Sequence, residues 1–321
     1  MQEPGRERKV TESNFTLSNA DNTELFVHRW LPDEPAKAVV QIAHGLAEHG
    51  ARYGRLAAAL NEHGYAVYAN DHRGHGKTAK TPEELGFIAE RDGWRKCIDD
   101  LWLLHQRIAA EHPRLPIILL GHSMGSTMAR QFIMEHGDAL AGAVLSGPSG
   151  QPTAMAALGR AITRLERLRL GPRGHSRIIS DLTFDGFNKA FAPARTAFDW
   201  LSRDPAEVDK YVADPLCGFP ASVQLWIEML DAWKRISSRA SCRRVPKHLS
   251  LYVIAGQRDP VSGAATQIAP MIAAYRDAGL EQIECRIYLE ARHELLNETN
   301  RDEITRDLIA WLDGVTSRRS R

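Results

Sequence analysis

A chain of 321 residues in which 41 lysines and arginines face 40 aspartates and glutamates carries a formal net charge of +1, so it lacks the broad positive field that gathers a nucleic-acid backbone. Its 43% hydrophobic and 25% charged content is that of an ordinary globular protein able to bury one large core, and the length alone leaves the domain count to the pattern. Cys97, Cys217, Cys242 and Cys285 show no C-x-x-C spacing, the start MQEPGRERKV has no apolar leader, and no run reaches 18 apolar residues; free thiols in a reducing cytoplasm are expected.

Taken in chain order, alternation at Phe15, Leu17, Leu25 and Val27 within residues 10–30 predicts an antiparallel edge hairpin. Apolar, β-branched runs follow at residues 38–43, 65–70, 117–120 and 143–146, with helical periods between them at 53–62, 93–111 and 126–136. Most of these runs are apolar on successive residues, which predicts strands covered on both faces, as a parallel sheet between helices requires. From residue 151 to 246 the alternation lapses into helical or irregular stretches rich in Arg, Asp, Pro and aromatics. Strand runs resume at 249–255 and 283–289, with helical periods at 265–278 and 301–312. The predicted class is α/β, with a core of residues 1–150 and 247–321 and a mainly helical cap, 151–246, inserted after the sixth strand. Such an insertion lands over the C-terminal ends of the strands, where open α/β sheets bind ligands.

Gly121-His122-Ser123-Met124-Gly125 is a G-x-S-x-G motif with a strand before it and a helix after it. A hydroxyl lifted from a sheet on a sharp turn tolerates only small neighbours, hence Gly121 and Gly125. A serine needs a base, and among 13 histidines His293 lies between the last predicted strand and the final helix, where it can reach the elbow. Asp259 sits on a turn after the run 249–255, closed by Pro260, and can hold that imidazole; Asp71, after the run 65–70, is the rival acid. Backbone N–H groups of Met124 and Leu46 are the expected oxyanion donors, with His44 and Gly45 shaping the loop that carries Leu46. His72 and His75 invite a zinc reading, but a glycine between them and the lack of an evident third ligand argue against it; no metal and no cofactor is expected.

With these residues assembled, the chain resembles the monoacylglycerol lipase and lysophospholipase family of α/β-hydrolase-fold serine hydrolases, which includes serine-aminopeptidase-like members. The resemblance rests on His44-Gly45-Leu46-Ala47-Glu48-His49 with Arg52-Tyr53, on Asp71-His72-Arg73-Gly74-His75-Gly76, on the elbow, and on the late Asp259 and His293. Family members commonly have glycine where this chain has Ala47 and Ser126. The resemblance implies hydrolysis of carboxylic esters of single-chain lipids through an acyl-enzyme, without metal or cofactor, with a small-molecule or lipid ester as partner and no nucleic acid. An aminopeptidase or amidase of the same fold, anchoring an amine on Asp181, Asp185 or Asp199, is the alternative, and a noncatalytic ligand cup a third. Met155, Leu158, Ile162, Leu165 and Leu168 recur at helical spacing in the insertion; such a stripe ordinarily packs into a core, and the other reading is a lid touching acyl chains or transiently a membrane surface. The arginines beside it (Arg160, Arg164, Arg167, Arg169, Arg173) and those at Arg318, Arg319 and Arg321 read as a solvated helix face and a tail.

Overall fold

The computed structural model describes residues 11–319, so Val10 and Arg321 lie outside the described residues. One eight-stranded sheet runs through it, formed by β1 (Thr11–Ser18), β2 (Glu24–Leu31), β3 (Ala38–Ala43), β4 (Tyr65–Asn70), β5 (Ile117–His122), β6 (Gly142–Ser146), β7 (Ser250–Gly256) and β8 (Ile283–Tyr288). Their order across the sheet is β1-β2-β4-β3-β5-β6-β7-β8. The first two form the expected hairpin, with Phe15 opposite Val27 and Leu17 opposite Leu25, and β2 pairs antiparallel with β4. From β4 onward every pairing is parallel.

The helices in chain order are α1 (Gly54–Glu62), α2 (Gly93–Glu111), α3 (Met124–His136), α4 (Ala154–Leu170), α5 (Arg177–Leu182), α6 (Phe184–Asn188), α7 (Pro205–Ala213), α8 (Val223–Ile236), α9 (Arg239–Cys242), α10 (Ile268–Asp277) and α11 (Arg301–Arg319). The reason the central strands read as unbroken apolar runs is visible in their neighbours. Ile117 and Leu119 of β5 join a core with α2, α3 and α10 on one face, while Ile118 and Leu120 join a core with α1 and α11 on the other. Both faces are dry, so nearly every position is apolar, and the buried Gln41 of β3 donates its amide N–H to the Leu101 carbonyl. β8 departs from this expectation: as the edge strand it leaves Glu284 to Ile287 exposed, because only one neighbour and part of one face cover it.

Residues 151–246 hold α4 to α9 and no strand. This segment is not a detached layer. Val223, Leu225, Trp226, Ala232 and Ile236 of α8 are buried in the same core as α2 and α3, so α8 is anchored. Arg130 of α3, itself buried, donates to the Gly150 carbonyl, the Ser237 hydroxyl and the Tyr275 hydroxyl, which ties down the chain where it leaves and returns to the core. By contrast α4 leaves most of its apolar stripe uncovered. Met155, Leu158, Leu165 and Leu168 are 65%, 52%, 66% and 86% exposed, Ile162 is half-buried, and the buried positions of that helix are Thr163 and Glu166. The ordinary expectation of core packing for this stripe is therefore overturned. Of the neighbouring arginines Arg160 is partly buried against Asp231 of α8, while Arg164 and Arg169 stay exposed as they pair with Asp231 and Glu166.

Candidate active site

β5 ends at His122, and Ser123 takes φ 52° and ψ −117° before α3 starts. A side chain held at positive φ costs on the order of 1–3 kcal/mol and survives only where its surroundings enforce it. Here they do. A Cβ on Gly121 would lie 2.3 Å from the Gly125 carbonyl oxygen, and one on Gly125 would lie 2.0 Å from that of Ala43. Ser123 N–H donates to the Ser146 carbonyl at 3.0 Å, and Ser126, where the family resemblance leads one to expect glycine, donates its hydroxyl back to the Ser123 carbonyl at 2.6 Å. The turn thus accommodates Ser126 and gains a bond from it.

The loop after β8 brings His293 to the loop after β7, where its Nδ1 meets Asp259 Oδ1 at 3.0 Å. Both side chains are buried, and the same Asp259 oxygen accepts the Val261 N–H at 2.9 Å. With Nδ1–H committed to a carboxylate, Nε2 is the nitrogen left to act as a base. Burial pushes the imidazole's pKa down, but the charge and hydrogen bond of Asp259, with Glu294 and Glu48 farther off, outweigh it and hold His293 above the usual histidine range. The His293 ring lies 4.8 Å from that of His122, the residue before Ser123, and 5.1 Å from the indole of Trp200. Three distant stretches therefore meet at one place. Asp71 goes elsewhere: it accepts from the N–H groups of Gly50 and Lys77 and contacts His28, and so organises its own loop.

The loop after β3 passes directly over the elbow, since a Cβ on Gly45 would come within 3.3 Å of the Ser123 Cβ. His44 fixes this loop, donating Nδ1–H to the Gly45 carbonyl at 2.8 Å and accepting the His72 N–H on Nε2 at 2.9 Å. Burial, reinforced by neighbouring histidines, holds His44 well below its ordinary pKa and pushes His72 down to about 3; burial also takes His75 to about 4, so these rings stay neutral. Leu46 and Met124 line the same cavity as Ser123, and neither backbone N–H donates to a protein acceptor among the described residues. Ala47 adopts φ 57°, a conformation that glycine takes without strain and an alanine holds only where its surroundings enforce it. Two donors from the insertion stabilise it: Tyr211 Oη–H at 2.9 Å and Gly218 N–H at 3.0 Å both reach the Ala47 carbonyl.

An ion group behind this site was not legible as such in the sequence. Arg52 donates to both oxygens of Glu294 at 2.7 Å and to Glu48 at 2.6 Å, while the other Glu48 oxygen accepts the Gly45 N–H at 2.5 Å and the Tyr53 hydroxyl at 3.0 Å. All three ionic groups are largely buried. The loop over the elbow and the loop bearing His293 are thereby fastened to one guanidinium. Glu294 gave no periodic or motif signal, because its partner lies 242 residues away.

A cavity of about 310 Å³ opens at Ser123 beneath α4 to α6 and α8. Phe184, Phe187, Trp200, Trp226, Trp233 and Met229 are among its walls, and no charged side chain is. Asp181 and Asp185 lie outside the lining, and Asp199 spends its oxygens on the N–H groups of Arg195 and Thr196 and the Thr196 hydroxyl.

Comparison with known proteins places this geometry among relatives. Residues 34–300 match the family model described as serine aminopeptidase, S33. The monoacylglycerol lipase of Mycolicibacterium smegmatis is 26% identical over 308 residues, which cover 94% of this chain and 97% of that one. Human monoglyceride lipase is 27% identical over 315 residues, 95% of this chain and 90% of that one. Among solved structures, a thermostable carboxyl esterase from Bacillus coagulans in complex with glycerol superposes with a TM-score of 0.87 at 26% identity, covering 96% of this chain and 100% of that one. With an elbow serine, a buried His–Asp pair and a match across most of its length, the chain belongs to the serine aminopeptidase S33 family of α/β-hydrolase-fold hydrolases.

Proposed function

We propose that the protein hydrolyses carboxylic esters of single-chain lipids, of the monoacylglycerol type, through an acyl-enzyme on Ser123. The observation that carries this reading is the uncharged, aromatic and aliphatic lining of the cavity at Ser123. Such walls favour an acyl chain and offer no carboxylate to a substrate's ammonium group, which counts against the aminopeptidase alternative. Relatives named as lipases, and one esterase structure holding glycerol, support it further.

In this mechanism Ser123 Oγ attacks the ester carbonyl while His293 Nε2 takes its proton, and Asp259 stabilises the resulting imidazolium without accepting the proton itself. The N–H groups of Leu46 and Met124 receive the oxyanion. His293 then protonates the leaving alcohol, activates water, and the acyl-enzyme is hydrolysed to fatty acid and free Ser123. The test is a hydrolysis panel of monoacylglycerols and lysophospholipids of graded chain length beside amino-acid anilides, with Ser123→Ala as blank. Turnover of anilides alone would reject the ester reading.

Because the base must be neutral, kcat/KM should rise with pH through a midpoint above histidine's ordinary 6.5. Asp259→Asn removes the carboxylate charge, the largest upward influence, and leaves only the more distant Glu294 and Glu48 against burial, so the midpoint should fall below the wild-type value while kcat drops by about 10⁴-fold. A pH–rate profile of the two proteins checks both; an unmoved midpoint would count against His293 as the base.

Residues 151–246 serve in this reading as the cap, with α8 as its fixed base and α4 and α5 as its outer face. Met155, Leu158 and Leu182 both line the cavity and stand exposed, with Leu165, Leu168 and Ile178 exposed beyond them. An apolar rim around an acyl-chain cavity suits a transient landing on a lipid surface, and no described helix is long and apolar enough to cross one. The double variant Leu165→Asp/Leu168→Asp should cut the fraction floating with liposomes at least about tenfold, since each buried leucine contributes about 1.5–3 kcal/mol. Equal flotation of variant and wild type rejects the landing surface.

A further inference from the structure

The segment that clamps Ala47 carries a second group of side chains for which the ester mechanism has no use. His49 ends the loop over the elbow, three residues past Leu46, and its Nε2 meets Asp214 Oδ2 at 2.9 Å. Cys217 lies beside them, so that the histidine nitrogen, the carboxylate oxygen and the thiol sulfur are all within 4.8 Å of one another. His49 and Cys217 are buried and Asp214 is partly so. The backbone presents the donors rigidly. Leu216 N–H holds Asp214 Oδ1 at 2.8 Å, which leaves Oδ2 turned to His49, and Cys217 N–H donates to the Asp214 carbonyl at 3.0 Å.

We propose that His49, Asp214 and Cys217 form a binding site for a borderline-soft divalent cation of the zinc class, one that joins the loop over the elbow to the cap. The donor set of imidazole, carboxylate and thiolate is the one such ions select, and an all-oxygen cation such as magnesium does not. Tetrahedral bonds of about 2.0–2.3 Å place ligand atoms roughly 3.3–3.8 Å apart, so the His49–Asp214 contact opens slightly and the sulfur closes in, with water as the fourth ligand. The site's own charge is the Asp214 carboxylate, and the nearby Arg52 cation is offset by its ion pairs with Glu48 and Glu294. On binding, the Cys217 thiol proton goes to solvent, and the hydrogen that His49 Nε2 shares with Asp214 moves to Nδ1 or is released.

Bound metal pulls on His49 and through it on the stretch that presents the Leu46 N–H, so it should slow turnover reversibly. That effect on turnover rests on the ester-hydrolase reading, whereas the binding does not. The experiment titrates purified full-length protein with Co²⁺, followed by competition with Zn²⁺. Saturation at one equivalent, with a thiolate-to-cobalt charge-transfer band and the visible bands of a four-coordinate ion, is expected, and Zn²⁺ should displace the cobalt. Cys217→Ser should lose the charge-transfer band and weaken uptake at least tenfold, and Asp214→Asn should weaken it while keeping the band; circular dichroism of both variants checks folding. The same titration on Ser123→Ala should give the wild-type spectrum, so failure of the ester mechanism and failure of the metal site are distinguishable. In the wild type, Zn²⁺ should lower turnover and a chelator should restore it, and the ratio of turnover with and without Zn²⁺ should approach one in Cys217→Ser. No saturable uptake, or an unchanged spectrum in Cys217→Ser, overturns the site. Uptake without any change in turnover overturns its coupling to the loop.

Discussion

Replacing Ser123 by alanine is expected to lower kcat on monoacylglycerol by about a million-fold, to the residual rate that substrate binding and the two backbone donors sustain. The prediction is sharp because the change removes one oxygen and little else. Alanine keeps the Cβ, so the φ of 52° enforced by Gly121, Gly125 and Ala43 is equally strained before and after. The N–H bond to Ser146 and the Ser126 hydroxyl bond to the carbonyl of residue 123 use the backbone and persist. Thermal stability should therefore change little, and binding of a nonhydrolysable lipid analogue should stay close to that of wild type. Single-turnover hydrolysis alongside a melting curve separates the outcomes: full activity in a folded variant would remove Ser123 from the chemistry, and collapse of the fold would make the rate uninformative.

The parts of this molecule that could be read from the chain are those whose cause is local. The runs at 38–43 and 65–70 are β3 and β4 to the residue, because strands covered on both faces are apolar on nearly all successive residues, buried Gln41 and Asn70 being the exceptions. The elbow is legible for a similar reason, since the tight turn that lifts Ser123 demands small residues two positions either side of it. The α4 stripe shows where such reasoning stops. Period alone identifies an apolar face but cannot say whether protein, water or lipid covers it, and here Leu165 and Leu168 face outward. The run at 283–289 becomes the edge strand Ile283–Tyr288, and its edge position depends on which strands pair with it, which no single run discloses. The groups around His49, with ligands more than 160 residues apart in the chain, have no local signature at all.

Arg52→Met is expected to destabilise the fold by about 3–5 kcal/mol at pH 7, the usual consequence of removing one member of a buried ion group. Wild-type Arg52 offsets two buried carboxylates, Glu48 and Glu294. Burial pushes the Glu294 carboxyl upward, but the Arg52 charge and hydrogen bonds overcome it and hold that carboxyl well below its ordinary range. A depressed carboxylate contributes stability above its unfolded pKa and loses it only as pH falls through the folded value. Without Arg52 the sign reverses for Glu294: burial, no longer opposed by the guanidinium, raises its carboxyl, so it takes up a proton in mild acid. The deficit of the variant should therefore be largest near neutrality and shrink toward pH 5, which denaturant midpoints at the two pH values will show. A deficit independent of pH would mean that lost packing over Tyr211, whose ring lies 4.9 Å from the guanidinium, outweighs the charge. Arg52→Lys should recover only part of the loss, because an ammonium cannot hold both Glu294 oxygens in parallel as the guanidinium does. Since the same group fastens the loop bearing Leu46 to the loop bearing His293, turnover of folded Arg52→Met should also fall by about a hundredfold, as expected where donors and base drift by around an ångström.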